Sequence, residues 1–270
     1  MRCPQCNYDN ADNARFCAHC GTRLVEARVE VFSGIDIEQN FGQGFGGFAI
    51  NSQGVGLRDA DTGEIIIKPR HFEINGVWSS NTPKILTNQK FFLAQGDVSG
   101  FDIHSKTLYD NRGNIIIPGG KFREIRHIHW LSMFICFASP VESMQHGYYA
   151  YDEQGNGLFK YKYSVIGYPD DGFITWAKNE DNLFGYIDIR TGKPVSEFKW
   201  KEALNFKNGY AMVKDPNTKN WGLINTRGEV VVPCEYNDLI IFDDGKVKYK
   251  KHWYSFDDYT TLTDLLNKYK

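Results

Sequence analysis

Short apolar runs separated by turn residues recur along most of this chain. In the clearest example the apolar run Trp221–Ile224 is followed by a turn that ends at Gly228 and by the β-branched run Glu229–Val232. Two such runs on either side of a glycine turn predict a β-hairpin. Proline has no backbone N–H to donate, so we expect Pro233 to end the second strand. Two more strands are predicted directly after it, on either side of an Asp-Asp-Gly turn.

The same hairpin pattern occurs five times after about residue 40. The spacing of its turn glycines shrinks from 50 to 36 residues along the chain, at Gly63, Gly113, Gly155, Gly192 and Gly228. Each copy ends with a further strand of the kind seen at Gly209–Val213. A sixth such strand, Gly47–Ile50, precedes copy one.

Units of four short strands cannot bury both faces of one sheet alone, so neighbouring copies must stack. Two arrangements achieve this, a closed β-propeller and an open β-repeat array. Four strands per unit favour the propeller, in which the strand near Ala49 would complete the last blade.

Copies four and five begin with Phe184-Gly185 and Trp221-Gly222. In both, a hydrophobic pair, Asp or Asn and a turn glycine follow in order, and in copy five a β-branched run and a proline come next. This pattern resembles the WG-containing repeat over roughly residues 40–250. The resemblance implies a β-rich repeat scaffold, and it assigns no catalytic residue.

The two ends of the repeat region carry different patterns. Alternation around Val29 and Val31 predicts strands at the edge of the repeat domain or, alternatively, a linker. After residue 251 the period breaks, and Leu262, Leu265 and Leu266 are spaced as on one face of a short helix. We expect Thr261 or Thr263 to cap this helix and the helix to pack on the last repeat. The weaker alternative is a helix that docks a partner.

Composition limits the function classes. Aromatic residues at 15% and 26 glycines fit short strands and tight turns. A net charge of −2 gives no electrostatic argument for nucleic acid or for an anionic membrane. No apolar run approaches the roughly 20 residues that a spanning helix needs. With no apolar signal-peptide region visible, we expect reduced thiols and a cytoplasmic chain.

The strongest chemical signal is a pair of Cys-x2-Cys motifs, Cys3 with Cys6 and Cys17 with Cys20. Four thiolates at this spacing suit one tetrahedral Zn²⁺ with no open position for substrate, so the predicted zinc is structural. Two disulfides are the alternative. His19 lies between two ligands and is expected to face solvent. The string from Cys3 onward closely resembles the short N-terminal zinc ribbons of many bacterial proteins.

Other candidate residues point to structure rather than chemistry. His127 and His129 would share one face of a strand, and with His146 they are the polar residues that the repeat pattern explains least. We expect these three histidines to be dispersed surface residues. Cys136 is predicted to be a buried thiol, and Cys234 a more exposed one.

Acidic and amide residues at the turns of the repeat are expected to bond to the turn backbone. They include Asp59, Asp61, Asp110, Asn111, Asp152, Asp188 and Asn225, together with the pairs Asp170-Asp171 and Asp243-Asp244. The run Gly42–Gly47 lacks the Lys-Ser/Thr of a phosphate loop and is set aside. Lysines at 246, 248, 250 and 251 predict an edge strand protected from pairing.

These patterns predict a mostly β chain with a zinc ribbon over 1–24, a linker or first strands over 25–40, repeats over 41–251 and a helical tail over 252–270. The predicted function is a non-enzymatic scaffold, in which the ribbon docks a protein partner and the repeats present a second face. Three alternatives remain. One is a nucleic-acid-binding ribbon, and another is a ligand- or glycan-binding propeller with Trp176, Trp200 and Trp221 around its mouth. The third is an enzyme, which would need a convergent acid/base set that no motif reveals.

Overall fold

The computed structural model describes residues 1–12, 14, 17–20, 24, 28–34, 54–76, 85–87, 90–96, 104–138, 146–170 and 172–270. The predicted strand Gly47–Ile50, the run Gly42–Gly47 and Asp171 lie outside these residues. The chain divides into two compact units. The first contains residues 1–127, 136–144 and 153–155, and the second contains residues 128–135, 145–152 and 156–270. Each unit is described by itself.

Within the described residues the strands form six small antiparallel sheets, named sheet 1 to sheet 6. Sheet 1 has the order β3-β2-β1-β5, built from β1 (Arg28–Gly34), β2 (Gly54–Asp59), β3 (Ile65–His71) and β5 (Ile85–Thr87). Sheet 2 has the order β4-β6-β7-β8, built from β4 (Glu73–Gly76), β6 (Phe91–Gln95), β7 (Lys106–Asp110) and β8 (Ile115–Phe122).

Sheets 3 and 4 are four-stranded meanders. Sheet 3 comprises β9 (Glu124–Ile128), β10 (Met133–Ala138), β11 (Gly147–Asp152) and β12 (Gly157–Lys160), with a 3₁₀ turn over His129–Leu131. Sheet 4 comprises β13 (Val165–Ile166), β14 (Ile174–Lys178), β15 (Phe184–Asp188) and β16 (Lys193–Pro194).

Sheets 5 and 6 complete the repeats. Sheet 5 comprises β17 (Glu202–Ala203), β18 (Tyr210–Lys214), β19 (Trp221–Asn225) and β20 (Val230–Tyr236). Sheet 6 has three strands, β21 (Asp238–Ile241), β22 (Lys246–Lys250) and β23 (Asp258–Thr261), and helix α1 (Leu262–Asn267) follows.

The boundaries of the sheets do not coincide with the boundaries of the repeat copies defined from the sequence. Hairpin β19–β20 of copy five pairs with β18, the strand that precedes it, whereas β21 and β22 of the same copy belong to the next sheet. Five copies therefore contribute to six sheets. In sheet 1 the strand beside the first hairpin is β1, which confirms the strand predicted around Val29 and Val31 and lies between β2 and β5.

The repeat proline does not end its strand, so the prediction for Pro233 is wrong. Strand β20 continues through Pro233 because its register shifts there: Leu223 pairs with Val232, whereas Trp221 pairs with Tyr236. Two residues of β19 thus face four residues of β20. A bulge of this kind in an outer strand leaves the proline without a ladder bond to make. The same shift surrounds Pro69 in β3.

The glycine that follows the aromatic residue is required by this bulge. A Cβ atom at Gly222 would lie 2.5 Å from the carbonyl oxygen of Val232, so only glycine admits the bulged strand. In copy two Thr107 occupies the equivalent position. There the facing strand carries the glycine, because a Cβ at Gly119 would lie 2.6 Å from the Thr107 hydroxyl oxygen.

The turn glycines join consecutive copies. Gly113 has a φ of 84°, and a Cβ there would lie 2.3 Å from the carbonyl oxygen of Ile66, in β3, the second hairpin strand of copy one. Gly155 stands in the same relation to Ile116 of copy two, also at 2.3 Å. In the second unit a Cβ at Gly228 would lie 2.7 Å from the Cβ of Ser196, just after the outer strand β16 of copy four. Each of these three turns therefore packs against the outer strand of the preceding copy or the segment directly after it, as stacked repeats require.

Helix α1 takes the place of a sixth hairpin. Tyr210 pairs with Asn225, and 36 residues later Lys246 pairs with Thr261 in the same register. Asn225 starts the turn of copy five, whereas Thr261 caps α1 by accepting a hydrogen bond from the Asp264 N–H. The predicted cap is therefore confirmed at Thr261.

The helix packs on the last repeats, as predicted. Leu262 and Leu265 are buried, and Leu266 and Tyr269 contact the same apolar cluster. That cluster also includes Leu223, Val232, Tyr236, Leu239, Ile241 and Val247 from sheets 5 and 6. Strand β22, with its alternating lysines, lies between β21 and β23, so the predicted edge strand is wrong. Lys248 instead forms an ion pair with Asp257 at 3.0 Å.

Candidate zinc site and the polar residues of the repeats

The four cysteines of the N-terminal segment come together. Their sulfur atoms all lie within 4.8 Å of one another, and the closest pairs are Cys3 with Cys20 at 3.6 Å and Cys6 with Cys17 at 3.5 Å. A tetrahedral zinc with bonds of about 2.3 Å places its sulfur ligands about 3.8 Å apart. The cysteine cluster therefore fits one zinc ion. These distances are well beyond the roughly 2.05 Å of a disulfide bond, so the cysteines are not joined as disulfides.

Local backbone structure shapes the first cysteine pair. The Cys3 N–H donates to the Tyr8 carbonyl at 2.9 Å, and the Asn7 N–H donates to the Cys3 carbonyl at 3.0 Å. Asn7 has a φ of 58°, the left-handed conformation that asparagine adopts more readily than most residues. Asn10 links the two halves, because its side-chain oxygen accepts the Ala18 N–H at 2.9 Å while its amide nitrogen lies 3.5 Å from the Cys17 sulfur.

The thiols of the cluster have unequal acidities. Burial acts to raise the pKa of Cys17, but hydrogen bonds from the backbone of Cys20 and His19 and from Asn10 lower it to about 6. A backbone hydrogen bond at Tyr8 favours the Cys6 thiolate, yet burial and the three neighbouring sulfurs together raise the Cys6 pKa to about 12. Four thiolates this close together repel one another, and a bound cation offsets that repulsion. This electrostatic argument supports a metal at the site.

His19 is not part of the group of close ligand atoms. That group contains the four cysteines, and the His19 ring instead stacks on Tyr8 with a centroid distance of 5.5 Å. Both side chains are exposed. The terminal ammonium of Met1 forms an ion pair with Asp12 at 2.9 Å, which ties the start of the chain to the loop between the cysteine pairs.

The turn residues of the repeats bond to their own turns, as predicted. In each copy one side-chain oxygen accepts a backbone N–H two to four residues further on. These acceptors are Asp59, Asp110, Asp152, Asp188 and Asn225. Asp170 and Asp243 instead contact side chains about one repeat away, the Asn205 amide at 3.2 Å and the Lys207 ammonium at 2.7 Å, so the prediction of turn bonding is wrong for these two residues. Turn chemistry accounts for the five acceptors.

His127 is buried, which corrects the prediction that it is a surface residue. Its side chain is 4% exposed, and its Nε2 lies 2.8 Å from a carboxylate oxygen of Glu153. Glu153 also forms an ion pair with Lys90. Burial acts to raise the pKa of Glu153, but the hydrogen bonds from Lys90 and His127 lower it below its usual value. Glu153 belongs to the turn of copy three, so this cluster helps to fix that turn.

The other two histidines lie in different surroundings. Strand β9 ends at Ile128, so His129 falls in the 3₁₀ turn and does not share a strand face with His127 as predicted. Its ring contacts Trp130. His146 is exposed at the start of copy three.

His71 is a buried polar residue that the sequence pattern did not single out. Its Nδ1 lies 2.6 Å from the Gly96 carbonyl oxygen and its Nε2 lies 2.9 Å from the Tyr109 hydroxyl. The available signal was the alternation along β3, because Ile67 and Pro69 are buried and His71 occupies the next alternate position.

The two cysteines outside the ribbon are core residues. Cys136 is fully buried, as predicted, and burial raises the pKa of its thiol. Cys234 is partly buried, and its pKa is raised to about 11, mainly by burial. Thiols with raised pKa values are poor nucleophiles at neutral pH.

The three tryptophans named as candidates for a propeller mouth contribute to packing. Trp200 is buried and Trp176 packs in the same cluster, between sheets 4 and 5. Trp221 packs in the cluster that contains helix α1. Beside the cluster of Trp176 and Trp200 lies a cavity of about 600 Å³, and two of its lining residues, Ile174 and Phe206, pack against that cluster. The cavity is lined by Gly172, Phe173, Ile174, Val195, Phe206, Thr226 and Arg227.

Comparison with protein families supports both resemblances found in the sequence. Residues 2–24 match the zinc-ribbon domain, and residues 184–215 and 221–252 match the WG containing repeat. The chain thus combines an N-terminal zinc ribbon with WG-type repeats. No curated protein matches the chain. In the described residues, no helix is long and apolar enough to span a membrane.

Several solved structures are similar to this chain at low identity. The computationally designed Ika8 protein is 10% identical over 73% of this chain and 62% of its own, with a TM-score of 0.37. BamB from Moraxella catarrhalis is 10% identical over 72% of this chain and 75% of its own, with a TM-score of 0.32. A chain of the mitotic checkpoint complex is 12% identical over 77% and 70%, with a TM-score of 0.35. This chain spans less than two thirds of the Ika8 protein, and likenesses this weak carry no functional argument.

Proposed function

We propose that this chain is a non-enzymatic interaction scaffold. Its zinc ribbon docks a protein partner, and its WG-type repeats present a second binding face. One zinc, held by Cys3, Cys6, Cys17 and Cys20, is structural, because four cysteine ligands leave no position for substrate. A small domain without a sizeable core depends on such a metal for its fold.

One observation supports the scaffold most directly. In four copies the turn acid that could supply a general acid or base group accepts backbone N–H bonds in its own turn, and the Asn225 amide oxygen does the same in copy five. A catalytic constellation is expected to appear as polar residues that break the repeat pattern and converge. The strongest such residue, His127, holds a turn in place through Glu153.

The test is affinity capture with the full chain and with a chain lacking residues 1–24. The proposal expects a set of proteins that the full chain retains and the shortened chain loses, while proteins bound by the repeats remain with both. Capture of the same proteins by both chains would contradict a docking role for the ribbon.

We further propose that the repeats close into a propeller and that the protein is cytoplasmic and bacterial in type. Four strands per unit and turn glycines that join successive copies support a stacked β architecture. Small-angle X-ray scattering distinguishes the two arrangements, since a compact chain of 270 residues has a radius of gyration of about 18 Å. An open array gives a clearly larger value.

A ligand-binding role is the second candidate, and the 600 Å³ cavity favours it. Its volume lies in the range of small-molecule sites, roughly 300–1,000 Å³. The tryptophans that we expected around a mouth do not line it. Nucleic-acid binding by the ribbon has less support, because the chain carries a net charge of −2.

A further inference from the structure

The loop between β22 and β23 presents large aromatic side chains to solvent. In this aromatic loop, residues 252–256, Trp253 is 78% exposed, Tyr254 is 71% exposed and Phe256 is 93% exposed. Single exposed apolar residues are common, but three in four positions form a patch of the kind that marks interaction sites. Turn tips normally carry Gly, Asn, Asp or Ser, so aromatic residues here break the local rule.

The aromatic loop is held in one shape before any partner binds. The Ser255 N–H donates to the His252 carbonyl at 3.0 Å, and the His252 N–H donates to the Ser255 hydroxyl oxygen at 3.1 Å. This turn places Trp253 and Tyr254 at its two outermost positions. The His252 ring stacks on Tyr254 at 5.3 Å. Rigid aromatic side chains lose little conformational entropy on binding, so they make effective anchors.

The cavity between sheets 4 and 5 is complementary to such an anchor. Its lining includes the apolar side chains of Phe173, Ile174, Val195 and Phe206. At about 600 Å³ it is large enough for an indole and a phenyl ring together. A convex aromatic loop and a concave apolar cavity therefore occur in one chain.

The charges beside the aromatic loop and beside the cavity are also complementary. Asp257 and Asp258 directly follow Phe256, and the cavity includes the turn residue Arg227. The Arg227 side chain is 76% exposed and pairs with Glu229 at 2.6 Å. An exposed ion pair of this kind contributes little and is easily exchanged. Asp257 pairs with Lys248 at 3.0 Å and Lys251 pairs with Glu235 at 2.9 Å, so these charges are matched within the chain and do not favour an anionic membrane.

We propose that the aromatic loop of one protein chain docks into the cavity between sheets 4 and 5 of a second, identical chain. Trp253 and Phe256 enter the apolar cavity, and Asp258 approaches Arg227. The two surfaces are different, so the contact is heterologous. In a pair of chains, one chain still has a free loop and the other a free cavity, and each can bind a further chain. The chain therefore self-associates in a concentration-dependent and open-ended manner.

Sedimentation velocity of the full chain, from about 1 to 200 μM, tests this proposal. We expect the mean mass to rise with concentration and the association to weaken about tenfold in Trp253→Ser and Phe256→Ser. Phe72→Ser, which changes an exposed aromatic residue elsewhere, is the matched control and should associate as the wild type does. Circular dichroism verifies that each variant is folded.

A charge exchange tests the orientation. Arg227→Asp and Asp258→Arg should each weaken association, and an equimolar mixture of the two variants should restore it, because each loop then meets a cavity of opposite charge. A wild type that stays monomeric throughout overturns the proposal. So does association that neither loop variant weakens. Loop-dependent sedimentation of monomers with vesicles of phosphatidylcholine and phosphatidylserine would assign the loop to a lipid surface instead.

Discussion

Replacing the turn glycine of copy two tests whether that turn carries the contact between copies. In Gly113→Ala the new Cβ would lie 2.3 Å from the carbonyl oxygen of Ile66 and 3.1 Å from its carbonyl carbon. The obstacle is backbone, which cannot move aside as a flexible side chain can. Relieving such an overlap costs about 1–3 kcal/mol. The left-handed φ of 84° adds about 1–2 kcal/mol for any residue with a Cβ.

Gly63→Ala is the matched control. Gly63 occupies the same turn position in copy one with a φ of 75°, and among the described atoms none lies within 4 Å of a Cβ there. This variant therefore bears the conformational cost without the overlap. The difference between the two variants, about 1–3 kcal/mol, isolates the contact with copy one.

Urea unfolding followed by tryptophan fluorescence measures both variants, and thermal melting provides a second readout. For a domain of this size each kcal/mol lowers Tm by roughly 2–4 °C. Gly155→Ala should behave like Gly113→Ala, because its Cβ meets Ile116 at the same distance. If Gly113→Ala and Gly63→Ala lose equal stability, the turn glycines do not mediate packing between copies.

Three further predictions follow from the packing and from the ionised groups. Leu265→Ala should cost about 2–5 kcal/mol in urea unfolding because Leu265 is fully buried in the terminal cluster, whereas Leu266→Ala should cost clearly less. The lowered pKa of Glu153 means that its ion pairs stabilise the fold above the unfolded pKa and cease to do so as the pH falls through the folded value. The stability difference between wild type and Glu153→Gln should thus shrink below about pH 4, and a constant difference would refute the role of the charge. Metal chelation should unfold residues 1–24 and leave the main melt within about 5 °C, since the repeats are stabilised by apolar burial instead.

Much of the architecture could be predicted from the sequence because its signals are local. The Cys-x2-Cys spacing, the turn glycines and the capped apolar face of Leu262 and Leu265 each depend on neighbours in the chain. The assignment of strands to sheets could not be predicted in the same way. Strand β18 could pair with the hairpin before it or with the hairpin after it, and the contacts that decide between them leave no periodic pattern in the sequence.

The errors have specific physical causes. Pro233 looked like a strand end because a regular ladder excludes proline, but a bulge supplies an unpaired position inside β20. The alternating lysines of β22 looked like edge protection, whereas Lys248 is paired with Asp257 of the neighbouring loop. His127 looked like a surface residue because its partner, Glu153, lies 26 residues further along the chain.

The central claim about the candidate site is that the four cysteines hold one structural zinc. Elemental analysis of the full chain, purified without chelator, tests this claim most directly. The account predicts one zinc per chain in the wild type and none in Cys17→Ser, because the variant lacks one of the four zinc ligands, the buried Cys17 thiolate. Wild-type protein without zinc, or Cys17→Ser protein that retains a full equivalent, would contradict it.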